Sequence, residues 1–273
     1  MIPNVLSIAG SDPSGGAGIQ ADLKTFSALG CYGMAALTAL TAQNTRGVTA
    51  VHVPPPTFLD AQLDALLTDI VIAAVKIGML ATGDMAMVVA SRLAACRSVP
   101  VVLDPVLAAT SGDSLGSPDV VEAMLRHLLP LVAVITPNLP EAARLADHPV
   151  AKNEDDMRAT AAALHGRGAR AVLIKGGHFE SGDAVDLLSD PTGIEVFRAP
   201  RHPTRNTHGT GCTLSSAIAA YLARGLTLVD AVGAAKAYVT AAIAGSSALS
   251  VGGGHGPVHH FHAAWPPPEG EVR

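Results

Sequence analysis

Short runs dense in Val and Ile recur along the chain, each separated from the next by a longer amphipathic stretch, and this alternation constrains the fold more than any other feature. The runs are "NVLSIAG" (4–10), "MAALTALTAQ" (34–43), "AAVKIGML" (73–80), "VPVVLDPV" (99–106), "VAVITPN" (132–138) and "RAVLIKGG" (170–177). Strands buried on both faces have this composition, because helices covering a parallel sheet leave it no polar side. Helical patterns fill the gaps at Ile19 to Leu29, Thr57 to Asp69, Gly83 to Ala95, Ser117 to Leu128, Glu141 to Ala146 and Asp155 to Arg167. Such alternation predicts βαβ units with right-handed crossovers. The expected class is α/β, with a central, mostly parallel sheet flanked by helices on both faces. One exception is expected: "AVDLLSD" (184–190) and "GIEVFRAP" (193–200), joined across "PTG", read as a small antiparallel hairpin. Two final helices, near Thr210 to Arg224 and Leu228 to Leu249, close the fold. With no linker or repeat in view, residues 1–265 are expected to form a single domain and 266–273 a disordered tail.

The chain has 273 residues, 49% of them hydrophobic, with 27 glycines, enough for one large core. Its formal charge is −5 and its Lys and Arg are scattered, which argues against nucleic acid or an anionic membrane and for a small-molecule partner. Cys31, Cys96 and Cys212 are odd in number and lack CxxC spacing, so neither a disulfide framework nor a zinc finger is expected, and a reducing compartment fits. "MIPNVLSIAG" lacks a basic leader and no apolar stretch reaches about 18 residues, so the expected location is cytoplasmic.

Ligands of open parallel sheets bind beyond the carboxyl ends of the strands. Here "AGSDPSGGAG", "QNT", "GML", "DPV", "PNLPE" and "KGG" follow the six runs, so polar or glycine residues gather at one end of the sheet. "GSDPSGGAGIQADLKTF" is neither a Walker A motif nor GxGxxG; it reads as a mobile substrate loop, or more simply as a tight turn. "GTGCTLSSAIAAYLA" is the stronger anion site. Gly209, Thr210, Gly211 and Cys212 would offer successive N–H groups at a helix start, the alternative being glycines that merely let a neighbouring helix approach.

Asp104 and Glu141, at two neighbouring strand ends, could hold Mg²⁺, although Glu141 could equally serve the first turn of its own helix. Lys175 ends an apolar strand, so its ammonium must emerge at the site face, where it can meet phosphate. Met34 and Met79 read first as core residues; Met79, after Gly78, could also line a ring pocket. His255, His259, His260 and His262 lack the spacing and companions of a zinc site.

Taken together, "GSDPSGGAGIQADLKTF", "AQNT", "KIGML", "LDPV", "TPNLPEA", "KGGH" and "NTHGTGCTLSSAIA", with the tail "GPVHHFHAAW", resemble the hydroxymethylpyrimidine/phosphomethylpyrimidine kinases of thiamine biosynthesis, a ribokinase-like family. The resemblance implies ATP-dependent phosphorylation of the hydroxymethyl group of 4-amino-5-hydroxymethyl-2-methylpyrimidine, then of its monophosphate. It implies Gly10, Asp22, Gln43 and Met79 around the pyrimidine, and Lys175, Thr207, Gly209 and Gly211 on ATP. Asp104 and Glu141 would arrange Mg²⁺, and Cys212 with Gly209, Thr210 and Gly211 would form the catalytic turn. A homodimer is also implied. Cys212 stands where most ribokinase-like sugar kinases carry a catalytic aspartate.

A thiol at a helix N-terminus is expected to have a lowered pKa and so to supply thiolate near neutral pH. The simpler alternative is a small buried residue at a helix start; a redox role lacks a nearby resolving cysteine. Competing functions are a pyridoxal or pyridoxine kinase, and a non-catalytic small-molecule sensor on the same fold. The Gln43 amide, which can donate and accept against an aminopyrimidine edge, favours the pyrimidine.

Overall fold

The computed structural model describes residues 1–94, 98–107, 116–177 and 182–265. The strands are β1 (Asn4–Ser11), β2 (Tyr32–Asn44), β3 (Gly47–His52), β4 (Ala74–Ile77), β5 (Val101–Leu103), β6 (Val134–Ile135), β7 (Val172–Gly176), β8 (Ala184–Asp190) and β9 (Gly193–Ala199). They form one sheet in the order β3-β2-β1-β4-β5-β6-β7-β8-β9. The segment from β2 to β7 is parallel, and β3, β8 and β9 pair antiparallel at the two edges. The expected hairpin is therefore present as β8 and β9. β3 departs from the expectation: "GVTAVH" is half exposed at the sheet edge and carries no buried-strand signal.

The helices are α1 (Gly18–Ala28), α2 (Pro56–Leu67), α3 (Gly83–Leu93), α4 (Val120–Ala123), α5 (Leu139–Ala146), α6 (Glu154–Gly166), α7 (Thr210–Ala223) and α8 (Leu228–Ala244). The predicted helix from Ser117 to Leu128 is broken: α4 passes into a π turn at Met124–Leu128 and a 3₁₀ turn at Leu129–Leu131, where Pro130 cannot continue an α ladder. Side-chain caps start four of the others. Thr82, Asn153 and Thr227 accept first-turn N–H bonds at α3, α6 and α8, and Asn138 with Glu141 makes a full capping box at α5.

Two cores cover the sheet, one on each face. Leu6, Ile8, Val75, Ile77 and Leu103 point toward α2, α3, α5 and α6, while Val5, Ala74, Val102 and Val134 point toward α1, α7 and α8. Leu228–Ala248 is long and apolar enough to cross a membrane, against the expectation that no such stretch exists. Here its Ala231, Val232, Ala235 and Val239 pack into the second core, and Lys236 pairs with Asp186 at 2.7 Å. The histidine-rich segment docks the chain end onto this layer: the His260 carbonyl accepts from the Tyr238 hydroxyl, and His259 and Phe261 meet Trp265. The proposed tail, 266–273, lies outside the described residues.

Chain direction across the sheet reverses at β1, which has β2 on one side and β4 on the other. A crevice opens at such a point, beyond the carboxyl ends of the strands.

Candidate active site

That crevice is a cavity of about 910 Å³, and Gly10, Gln43, Met79, Asp104, Glu141, Lys175, Thr207, Gly209, Thr210, Gly211 and Cys212 all line it. Gly10 sits where the β1–β2 register shifts, and a Cβ there would press on the Met79 sulfur at 3.1 Å. Met79 joins Ala39, Ala81 and Val106 in a small apolar patch. A flat ring could rest there, with the Gln43 amide at its edge.

At the other end, Gly209 takes a left-handed conformation (φ 77°) and starts α7 with no side-chain cap. The Thr210 N–H turns back to the Thr207 carbonyl and the Thr213 N–H reaches Gly209, which leaves those of Gly211 and Cys212 at the cavity rim without a carbonyl in the preceding turn. Beside them Lys175 meets Asp104 at 2.7 Å; Thr136 and Ser215 also donate to this carboxylate, at 3.2 Å each. Burial opposes the charge on Asp104, but Lys175 and Lys76 hold its carboxyl below the usual range. Glu141 is different. Burial pushes it up and Asp104 adds to the push, against Lys175 and two backbone N–H groups. One of its oxygens accepts the Asn138 N–H at 2.8 Å, so the capping reading holds, yet the residue still faces the cavity. Asp104 is answered by the two lysines, whereas Glu141 is left under-compensated. Hard oxygen donors at adjacent strand ends therefore suit a divalent cation.

Cys212 lines the cavity with part of its surface exposed, while protein packs closely around its sulfur. The expectation of a lowered pKa is overturned: burial pushes the thiol up to about 11, and the pull of Lys76 is set against Asp22 and Asp104. The helix start does not outweigh desolvation here.

Asp22 also departs from the expected place. It has no exposed surface and lies beneath the cavity floor, where Lys76 holds both its oxygens at 2.9 and 2.8 Å and Ser7 and Ser216 donate at 2.6 Å each. The first glycine loop is likewise not a loose flap. Asp12 accepts from the Ser14 N–H and hydroxyl, the Gly16 and Ala17 N–H groups and His208 Nε2. The His208 ring in turn covers Gly16, where no Cβ would fit.

The family model for phosphomethylpyrimidine kinase matches residues 12–259. This chain belongs to that family. The hydroxymethylpyrimidine/phosphomethylpyrimidine kinase of Salmonella typhimurium is 54% identical over 262 residues, which cover 96% of this chain and 98% of that one. The Escherichia coli enzyme of the same description is 53% identical, with the same coverage. Among solved structures, the ADP complex of Bacillus subtilis pyridoxal kinase has a TM-score of 0.88 at 38% identity, covering 96% of this chain and 99% of that one. Clostridium difficile phosphomethylpyrimidine kinase has a TM-score of 0.78 at 42% identity, covering 88% and 99%.

Within this phosphomethylpyrimidine kinase family member, Lys76, Asp12 and His208 escaped the reading of the sequence. For Lys76 a signal existed: a lysine in the middle of the apolar run "AVKI" must find a buried counter-charge. Asp12 and His208 are 196 residues apart and nothing local links them. Their pairing has a pH consequence. Burial opposes ionisation of Asp12, but His208, Ser14 and Ala17 hold it at about 2 against 3.8 for an ordinary aspartate. Because the folded pKa is depressed, the stabilisation is fully present above about pH 4 and is lost as pH falls toward 2. It should amount to on the order of 2 kcal/mol. Urea unfolding across that range should show a stability slope that Asp12→Asn makes shallower, the remainder coming from other depressed carboxyls such as Asp104.

Proposed function

We propose that the protein is an ATP-dependent kinase that phosphorylates the hydroxymethyl group of 4-amino-5-hydroxymethyl-2-methylpyrimidine and then its monophosphate. The supporting observation is one cavity that joins an apolar ring seat, with an amide at its edge, to an anion nest and a lysine. The alcohol oxygen would attack the γ-phosphorus of ATP as the bond to the ADP oxygen breaks. Loose phosphoryl transfer is catalysed mainly by alignment and charge stabilisation, and each part has a candidate here. The N–H groups of Gly211 and Cys212, with Lys175, would take the charge on the transferred group. Thr207 and Gly209 would hold the nucleotide side, and Gly10, Gln43 and Met79 the pyrimidine. Asp22 acts only from below, by way of Lys76 and Ser216. Asp104 and Glu141 would hold Mg²⁺, which when bound neutralises phosphate charge. Cys212 would receive the alcohol proton.

Pyridoxal kinase is the second reading, supported by the higher TM-score to a pyridoxal kinase than to the Clostridium difficile enzyme. Labelled ATP and Mg²⁺ offered with the pyrimidine alcohol, or with pyridoxal, separate the two. Transfer to the pyrimidine followed by accumulation of its diphosphate is expected; turnover of pyridoxal alone would overturn the assignment.

A further inference from the structure

His208 lines the cavity between its two ends, and the proposed chemistry gives this residue no task. It is buried and held on three sides. Its Nε2 meets an Asp12 oxygen at 2.8 Å, its ring closes over Gly16, and its backbone N–H donates to the Gly256 carbonyl at 3.0 Å. The same chain segment grips the pyrimidine side as well: the N–H groups of Gly254 and His255 donate to the hydroxyl and carbonyl of Thr45, two residues beyond Gln43, at 3.1 and 2.9 Å. A register shift between Ala42 and Gln43 re-aims the Gln43 side chain. Its amide nitrogen is placed 3.5 Å from His208 Nε2 and its amide oxygen 3.2 Å from the Thr41 hydroxyl.

We infer that His208 is a positioning residue that fixes which way the Gln43 amide faces, and so makes the cavity selective for an aminopyrimidine edge. This rests on the reading of Gln43 as the group that meets the ring. The oxygen and nitrogen of an amide have nearly the same shape, so their partners decide which is which. Asp12 is ionised, and a carboxylate 2.8 Å from Nε2 requires the hydrogen on that nitrogen. An amide NH2 at 3.5 Å would oppose this N–H, whereas an amide oxygen is attracted by it. On the far side the Thr41 hydroxyl gives its one hydrogen to the Ser11 carbonyl at 2.9 Å and is left to accept. Both neighbours therefore favour the exchanged orientation, oxygen toward His208 and NH2 toward Thr41. One N–H and one lone pair then stay free in a fixed order. That order suits the adjacent amino donor and ring-nitrogen acceptor of a 4-aminopyrimidine, and a ring without the amino group forfeits half of the match.

The test compares the pyrimidine alcohol with its analogue lacking the 4-amino group, as the ratio of their kcat/KM values. The parent should favour the amino compound by about a hundredfold, and His208→Phe, which keeps a ring over Gly16 without the N–H, should cut that preference about tenfold or more. His208→Gln, whose amide sets an N–H near the place of Nε2, should restore most of it. Because the effect passes through Gln43, adding His208→Phe to Gln43→Ala should change the preference by less than about twofold. A preference kept in folded His208→Phe overturns the inference, as does an equal loss in His208→Phe and His208→Gln, or a full further drop in the Gln43→Ala background. If His208→Phe does not fold, Thr41→Val removes the opposite partner of the amide; a loss of at least about threefold is expected there, and an unchanged preference overturns the inference. A parent that phosphorylates both compounds equally would remove Gln43 from the ring and the inference with it, whereas a parent that phosphorylates neither would remove the assignment of function beneath both.

Discussion

Cys212→Ala should slow phosphorylation of the pyrimidine alcohol by about a hundredfold while leaving phosphorylation of the monophosphate within about threefold of the parent, since a positioned base contributes ~10² or more only where a proton must leave. The alcohol is such a nucleophile and the phosphate is not. A carboxylate at this position would meet the monophosphate's own charge. At ~4 Å and an effective dielectric of ~20, that repulsion costs about 4 kcal/mol per pair of unit charges. A thiol avoids it by staying neutral. Burial that pushes Cys212 up to about 11 is therefore compatible with the second step, and it shapes the first. Below that value the thiolate population grows about tenfold per pH unit, so the alcohol step should rise with pH between about 7 and 9 while the monophosphate step lacks this limb. Rates for both substrates across that range, in the parent and in Cys212→Ala, check the pair of statements. Equal losses in the two steps would remove the sulfur from the proton path.

The same burial explains what could be read from the sequence and what could not. The parallel strands were legible because residues such as Val5, Leu6, Val75 and Val102 have no polar face to turn to, and the resulting runs stand out. β3 was not, because an exposed edge strand needs no such run. Lys175, next to last in β7, announced its exit to the site. Lys76 has the same apolar flanks but no exit, and only its counter-charge on another element accounts for it. Asp22 shows the opposite failure. The family resemblance implied that it touches the pyrimidine, whereas one helical turn beyond Gly18 was enough to carry the carboxylate under the floor. Chain neighbours of a site residue share its element, not its direction. The pKa of Cys212 failed for a related reason: the helix start is local and visible, but the desolvation that dominates is supplied by the whole fold.

Among the described glycines, Gly209→Ala should be the most damaging added methyl. At φ 77° an L-residue already costs roughly 1–2 kcal/mol. The added Cβ would also collide with the Gly16 carbonyl and lie 2.9 Å from the Gly16 carbonyl carbon, so backbone rather than a flexible side chain must move. Gly16 has nowhere to retreat, since its N–H is fixed by Asp12 and the His208 ring closes its other side. The two glycine loops interlock, and one of them carries the free N–H groups of α7. A loss on the order of 3 kcal/mol or more in stability is expected. Phosphorylation of both substrates should fall by about a hundredfold or more, because displacing aligned donors by ~1 Å costs about that much. Gly225, just past the end of α7, supplies the control: its φ is 89°, but nothing lies within 4 Å of a Cβ built there. Gly225→Ala should therefore cost only the roughly 1–2 kcal/mol of the left-handed conformation and keep full activity. Urea melts and rates on both variants divide backbone strain from interlock; matching losses at the two positions would show that the loops do not brace each other.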